Sequence, residues 1–292
     1  MPARGEPGGR GMDYEIRAMT VAEILDTGFR LLREHALLLI GITACLHLPI
    51  ALASLWLTAS PEVLAEDPGA ILESLGGVAL VFAALVLLSP IATAAITHAL
   101  REVLLGRETT LGRSLRFGLS IVLPLVGTQL LAGLLMLFAF TAPLLLVLLV
   151  PRDAWPLGLV VLAPVSVFLA TYLVLAFLIL TQVIVIEEVF GTRALRRSSA
   201  LMKGHKLRGL GIVMVGAILI SVLQAGFGLV LAAFPLASAL GSGLGQAAGS
   251  AFLAAVTALF YFDLRCRKEA FDLEHLAQRV AGGARPMPPP IA

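Results

Sequence analysis

The sequence carries very little charge. Only 14% of its 292 residues are Asp, Glu, Lys or Arg, whereas a soluble domain carries about 25% because charged side chains cover its water-facing surface. Hydrophobic residues make up 59% of the chain, and the mean hydropathy is +0.96. This composition excludes a soluble enzyme, a disordered tail protein and a nucleic-acid-binding protein, and it indicates a membrane protein.

Cysteine is almost absent as well. Cys45 lies inside the first apolar run, and Cys266 lies in the charged segment after the last one. Because the two thiols are expected in different environments, a disulfide between them is not predicted. A disulfide framework is therefore excluded.

Long apolar runs are what the sequence has instead. Each of six runs falls within or exceeds the range of about 17–25 residues that a helix needs to cross a membrane. They lie at about 36–58, 76–100, 120–150, 157–186, 210–238 and 246–263. The predicted fold is all-α, a polytopic domain of six transmembrane helices over 19–280, between disordered tails at 1–18 and 281–292. Pro124 and Pro143 predict a kink or break in the third run.

The basic residues are distributed unevenly between the loops. Every Lys and Arg except Arg152 lies before the first run, after the last, or in the second or fourth loop. With six spans these segments share one side, which the positive-inside rule identifies as the cytoplasm, together with both termini. A cleaved signal peptide ending near Ala53 is the competing interpretation, but the charged lead before the first run is too long for it.

Each odd-numbered span follows a short amphipathic stretch, at 20–35, 109–120 and 191–211. These stretches predict amphipathic interfacial helices on the cytoplasmic side, and Thr20 and Glu23 have the spacing of a capping box. Placed in register, LDTGFRL, LGRSLRF and LRRSSAL resemble three copies of one unit. The unit consists of a surface helix, a span, an outer turn and a second span.

The predicted spans contain no charged residue in their interior. Proton-driven pumps, voltage sensors and intramembrane proteases usually keep ionisable groups within the bilayer, so this pattern argues against all three. The sequence also shows no nucleophile–base pair and no cluster of metal ligands. No catalytic residue, metal or cofactor is therefore expected.

Uncharged polar residues do occur within the predicted spans. His47 and His98 are candidates for pairing with each other, for binding a metal or for carrying a proton, and a hydrogen bond to a helix carbonyl is the favoured role. Three glutamines either line a substrate path or make hydrogen bonds between helices, and we favour the second role. They are Gln129, Gln182 and Gln224.

Three glycines at the start of the sixth run form a GxxxGxxxG pattern, at Gly241, Gly245 and Gly249. Without side chains they allow a neighbouring helix to approach closely, so they are predicted helix-packing positions. The neighbour belongs either to the same chain or to another.

The segment 193–208 is the most basic part of the chain. Its six basic residues are Arg193, Arg196, Arg197, Lys203, Lys206 and Arg208. Such a surface rests at the level of lipid headgroups and attracts anionic lipid by roughly 1 kcal/mol per basic residue. Topology signalling alone also requires these charges, and the two roles are compatible.

Three stretches together resemble one bacterial family: TVAEILDTGFRLLREH, VIVIEEVFGTRALRRSSALMKGHKLRGLGIV and YFDLRCRKEAFDLEHLA. It is the membrane domain that precedes the catalytic domain in some glycerophosphoryl diester phosphodiesterases and that also occurs alone. The resemblance covers about 18–278 and is most distinctive from Tyr261 to Leu276. It implies a six-helix module of the bacterial inner membrane with no settled activity. The phosphodiesterase barrel has no counterpart here, so its enzymatic activity does not carry over.

Two functional hypotheses follow. The first is a non-enzymatic scaffold or accessory module that binds anionic lipid headgroups, or a membrane or cytoplasmic protein partner. It would use the basic segment 193–208 and a C-terminal helix at 265–278. The alternative is a small transporter or lipid-translocation component with a path between its helices. An intramembrane enzyme ranks third, and the substrate and the oligomeric state stay open.

Overall fold

The computed structural model describes residues 17–57, 68–149, 151–231 and 234–270, and regular structure within them is entirely helical. This confirms the all-α prediction. Most of the N-terminal tail, the whole C-terminal tail and the predicted helix beyond Ala270 lie outside the described residues. The α-helices are α1 Val21–Glu34, α2 Ala36–Leu57, α3 Pro68–Leu104, α4 Leu111–Ser120, α5 Val122–Leu145, α6 Trp155–Ala176, α7 Leu180–Glu187, α8 Gly191–Met202, α9 Lys206–Leu231 and α10 Pro235–Glu269.

Four described helical segments are long and apolar enough to cross a membrane, namely Val122–Leu149, Arg152–Glu187, Lys206–Gly226 and Leu236–Glu269. A fifth is present if α1 and the first part of α2, which meet at an angle of 85°, form one bent span. Large apolar side chains such as Leu134, Phe138 and Val160 are exposed on these segments. The chain is therefore a membrane protein, and its described residues contain four or five candidate spans where the sequence predicts six.

Three helix boundaries differ from the prediction or refine it. The predicted fourth span at 157–186 is divided into α6 and α7 by a turn at 177–179. The outer turn predicted at 239–245 is helical, because α10 already begins at Pro235. A proline has no backbone N–H to donate and fits the first turn of a helix. Pro143 lies three residues before the change from α5 to a 3₁₀ turn at Leu146–Leu149.

Helix α10 is the centre of the bundle. Within its Leu236–Glu269 segment 83% of the most apolar stretch is buried, against 17% for Val122–Leu149. It packs along both α2 and α9, and α1 crosses its last turns. A side chain at Gly28 of α1 would lie 2.6 Å from the side chain of Val256, so these two helices are in close contact.

Three times, the chain forms a short helix, a sharp turn and a long apolar helix. The turns lie at His35 between α1 and α2, at Ile121 between α4 and α5, and at 203–205 between α8 and α9. Each long helix then packs against the helix that follows it. In the register of the predicted repeat, one small residue aligns in all three short helices and is buried in each, at Gly28, Ser114 and Ser198.

The crossing of α4 over α3 gives a first prediction. A Cβ atom at Gly118 would lie 2.7 Å from the carbonyl oxygen of Ile91. We expect Gly118→Ala to reduce the free energy of unfolding by about 1–3 kcal/mol, because backbone atoms must move apart. The control is Gly112→Ala on the same helix, where a Cβ would meet nothing within 4 Å. Chemical unfolding in detergent micelles measures both, and equal stability of the two variants would contradict this crossing.

Candidate functional site

A buried carboxylate joins distant parts of the chain at one face of the bundle. Asp263, near the end of α10, has a side chain with 0% exposure. It accepts hydrogen bonds from the backbone N–H of Met19 at 2.7 Å and from Arg267 at 3.0 Å, and it pairs with Arg208 at 3.0 Å. Both arginines also donate to the carbonyl oxygen of Met19. Because a buried charge is stable only when paired and hydrogen-bonded, Asp263 fixes the chain before α1 to α9 and α10.

A second group of charges lies at the same face. Glu187, the last residue of α7, accepts hydrogen bonds from Arg197 at 2.8 Å and from the hydroxyl of Tyr261 at 2.7 Å. Arg197 also donates to Glu269 at 2.9 Å, and the hydrogen bonds to Glu269 and Glu187 raise the pKa of Arg197 above its ordinary value. We call the two groups together the ion-pair cluster: Glu187, Arg197, Arg208, Asp263, Arg267 and Glu269.

Helix α8 is held firmly against this face. Its Ser198 hydroxyl donates at 2.9 Å to the carbonyl oxygen of Ala176, the last residue of α6. At its other end the ammonium group of Lys268 donates to the carbonyl oxygens of Ala200 at 2.7 Å and Lys203 at 2.8 Å. Its apolar side is buried in the bundle, at Ala194, Leu195, Leu201 and Met202. These apolar side chains are therefore covered by protein and are not available to lipid tails.

The structure divides the six basic residues of segment 193–208 into two sets. Arg197 and Arg208 belong to the ion-pair cluster, and the ammonium group of Lys206 lies 2.9 Å from the centre of the Tyr172 ring, a cation–π contact. The other three are exposed and have no ion-pair partner in the described part of the chain. We call them the exposed basic stripe: Arg193, Arg196 and Lys203.

A cavity of about 550 Å³, with mainly apolar walls and several polar side chains, lies between α2, α3, α7, α9 and α10. No charged residue is among its described lining residues. Thr93 lies about three turns before the end of α3, and the cavity is open where its lining residues Ser89 and Gln246 are exposed. The polar lining residues that matter below are Thr43, His47, Thr93, Gln182, Gln246 and Thr257.

All three glutamines predicted from the sequence make hydrogen bonds between helices. Their partners are Thr257 for Gln182 at 2.8 Å, Thr181 for Gln129 at 3.4 Å, and Gln246 for Gln224. Gln182 lines the cavity and is buried, whereas the other two lie behind its wall, bonded to lining residues. The structure thus brings the three glutamines to one polar region of the bundle.

The glycines and the histidines also have defined places. The three glycines predicted to pack helices are all buried on α10, at Gly241, Gly245 and Gly249. A Cβ at Gly249 would lie 2.6 Å from Ile220, so the helix that approaches there is α9 of the same chain. His47 makes the expected bond to a helix carbonyl, at Thr43, whereas His98 stacks on the ring of Phe117.

Sequence reasoning missed Asp263 and the threonines of the cavity. Asp263 follows the apolar run LFYF and precedes Arg267 by four residues, a pattern that points to a buried ion pair on one helical face. The threonines carry no such signal, because a threonine in any apolar helix is able to bond its own preceding turn.

The ion-pair cluster gives a second prediction. Asp263→Asn leaves Arg208 and Arg267 without their shared counter-charge, so we expect the free energy of unfolding to fall by about 3–5 kcal/mol. The control is Asp26→Asn at an exposed position of α1, which we expect to change stability by less than about 0.5 kcal/mol. Thermal unfolding in detergent micelles measures both. An unchanged Tm for Asp263→Asn would show that the cluster does not hold this face together.

Comparison with known proteins adds one match. The model of the family described as "Domain of unknown function (DUF8558)" matches residues 77–266, well over half of the chain. No curated protein and no solved structure matches the chain. The matched range contains α8, most of the ion-pair cluster and most of the cavity lining. This chain belongs to the DUF8558 family, whose function is unknown.

Proposed function

We propose that this chain is a non-enzymatic, six-span module of a bacterial inner membrane that binds anionic lipid headgroups at its cytoplasmic face. In this arrangement α2 is the first span and α3, which covers the predicted run 76–100, is the second. The short helices α1, α4 and α8 lie at headgroup level, with buried residues turned to the bundle and polar residues turned outward.

The contacts of the ion-pair cluster support this sidedness. Met19 before α1, Arg197 on α8 and Glu269 at the end of α10 all join the cluster. The segment before the first run, the fourth loop and the segment after the last run therefore lie at one face. They carry most of the basic residues of the chain. By the positive-inside rule that face is the cytoplasmic one.

The exposed basic stripe is the observation that carries the lipid-binding proposal. Its three cations are exposed, two on α8 and one directly after it, on a segment that is fixed in place, and no described carboxylate pairs with them. A guanidinium group binds a phosphate through two parallel hydrogen bonds, and each basic residue at a membrane surface contributes about 1 kcal/mol of attraction to anionic lipid. A protein partner with an acidic surface is the other occupant that this stripe fits.

The relation to the phosphodiesterase membrane domain forms part of the same proposal. The three stretches that carry the resemblance are far apart in sequence, but they meet in the structure. The third stretch makes hydrogen bonds to Met19, directly before the first stretch, and to Glu187 and Arg197 in the second. A shared contact surface is one reason for three such stretches to occur together.

A third prediction tests the stripe. We expect Arg196→Gln to weaken the binding of phosphatidylglycerol about fivefold, the equivalent of one lost surface charge. The control is Arg152→Gln, an equally exposed arginine in the loop between α5 and α6, which leaves binding unchanged. Native mass spectrometry of the detergent-solubilised protein, titrated with phosphatidylglycerol or phosphatidylcholine, measures both. An equal loss of phosphatidylglycerol binding in the two variants would show that the charges of the exposed basic stripe act only as topology signals.

A second function, movement of a solute or lipid between the helices, is favoured by the cavity and its three associated glutamines. The broken span α6–α7 supports it, because irregular backbone at membrane depth occurs where it is buried or lines a cavity. Leu178, in the break itself, is a lining residue.

Osmotic swelling of proteoliposomes in a series of uncharged solutes and salts tests this second function. The protein should accelerate swelling in at least one solute. Replacement of Gln129, Gln182 and Gln224 together by Leu should return the rate to that of empty vesicles while the protein stays folded. Swelling at the rate of empty vesicles in every solute would overturn it.

A further inference from the structure

Three hydroxyl groups of the cavity have already used their protons. Thr43 donates to the carbonyl oxygen of Ala247 at 2.9 Å, Thr93 to that of Ser89 at 2.8 Å, and Thr257 to that of Leu253 at 2.8 Å. A hydroxyl has one proton and two lone pairs. These three threonines therefore offer oxygen lone pairs to the cavity.

Gln182 offers a further acceptor. Its side chain is buried, with 3% exposure, and its amide nitrogen donates to the Thr257 hydroxyl, whose proton is already engaged. This orientation leaves the amide oxygen of Gln182, which has no hydrogen-bond partner among the described residues. A buried, unpaired amide oxygen is costly unless a ligand or water bonds it.

His47 and Gln246 complete the polar lining used here. The Nδ1 atom of His47 lies 2.9 Å from the carbonyl oxygen of Thr43 and is assigned as the donor of that bond, which leaves Nε2 as a further polar atom of the lining. Gln246 accepts a bond from Gln224 through its amide oxygen, which leaves its amide N–H groups as donors. The cavity therefore offers several acceptors together with donors from Gln246 and from hydroxyl groups such as those of Thr181 and Ser250, and no Asp, Glu, Lys or Arg is among its described lining residues.

We propose that this cavity binds an uncharged polyhydroxyl group. Hydroxyl groups donate to the lone pairs of the threonines and Gln182 and accept from Gln246, whereas an ammonium group only donates. A buried cation would also lack a carboxylate to offset the loss of its hydration. The cavity of about 550 Å³ is far larger than one dehydrated ion.

The remaining lining is apolar and includes Ile96, Val213 and Leu253. Such a mixture of apolar walls and a few convergent polar groups is typical of ligand sites. It suits the C–H faces of a polyol and also the first carbons of a lipid. A free polyol and the sugar headgroup of a neutral glycolipid share the chemistry that the cavity recognises.

The experiment uses the full chain in a detergent that has no hydroxyl-rich headgroup. Native mass spectrometry and calorimetric titration measure binding of three probes: sorbitol, monoglucosyldiacylglycerol and methylammonium chloride. Gln182→Leu removes the unpaired acceptor, and Thr93→Val removes a lining oxygen with little change of shape. The matched controls lie outside the cavity lining: Ser221→Ala, whose hydroxyl bonds the carbonyl of Ala217 on α9, and Thr141→Val, whose hydroxyl bonds the carbonyl of Leu137 in the same way on α5.

We expect sorbitol or the glycolipid to bind saturably. Gln182→Leu should weaken that binding by about tenfold and Thr93→Val by about fivefold, with both controls unchanged. Binding of sorbitol identifies a free polyol as ligand, and binding of the glycolipid alone identifies a headgroup. If Gln182→Leu does not fold, Thr93→Val decides.

Three outcomes would overturn the proposal: no binding of sorbitol or glycolipid at millimolar concentration, saturable binding of methylammonium that Gln182→Leu abolishes, or equal weakening in variants and controls. The inference stands on the cavity alone. Binding without vesicle swelling would reject only the transport function, and loss of lipid binding at the exposed basic stripe would leave it unaffected.

Discussion

The buried carboxylate of Asp263 is the constraint on which the rest of the structure depends. A charge with no exposure costs several kcal/mol unless every oxygen is satisfied, and here the donors come from Met19, Arg208 and Arg267. One side chain therefore fixes three segments at once. The bonds of Arg197 to Glu187 and Glu269 extend the same face to α7 and α8. The exposed basic stripe lies on the outside of this rigid face, and the walls of the cavity contributed by α7 and α10 extend inward from it.

The sequence predicts those features of the fold that depend on residues close together along the chain. Composition and run length indicate helices in a membrane, and the capping box at Thr20 and Glu23 is present. Boundaries set by distant neighbours are not predictable in this way. The break after Ala176 is stabilised by a hydrogen bond from the hydroxyl of Ser198, and no local sequence pattern around Ala176 predicts that partner. Proline chemistry alone favours a helix start at Pro235, whereas the gap between the fifth and sixth apolar runs predicts a turn at 239–245.

The site residues show the same limit. Arg193, Arg196, Arg197 and Arg208 are equivalent in a charge count, but only the last two find carboxylates, at Glu269 and Asp263 far along the chain. Polar residues within spans are visible in the sequence, so the glutamines are found. Which hydroxyls line a cavity is set by how the helices rotate against one another, and a threonine such as Thr93 already satisfies its proton within its own helix.

The hydrogen bond between Met19 and Asp263 joins residues 244 positions apart, and this separation bears on how the bundle is made. In a chain that is inserted into a membrane helix by helix, the segment with Met19 emerges long before its partner on α10. Helix α1 cannot dock on α10 until all the helices between them have been synthesised. Long-range closure of this kind is slow and leaves partly assembled states open to misassembly. Truncated chains that end before α10 would therefore be good substrates for membrane proteases.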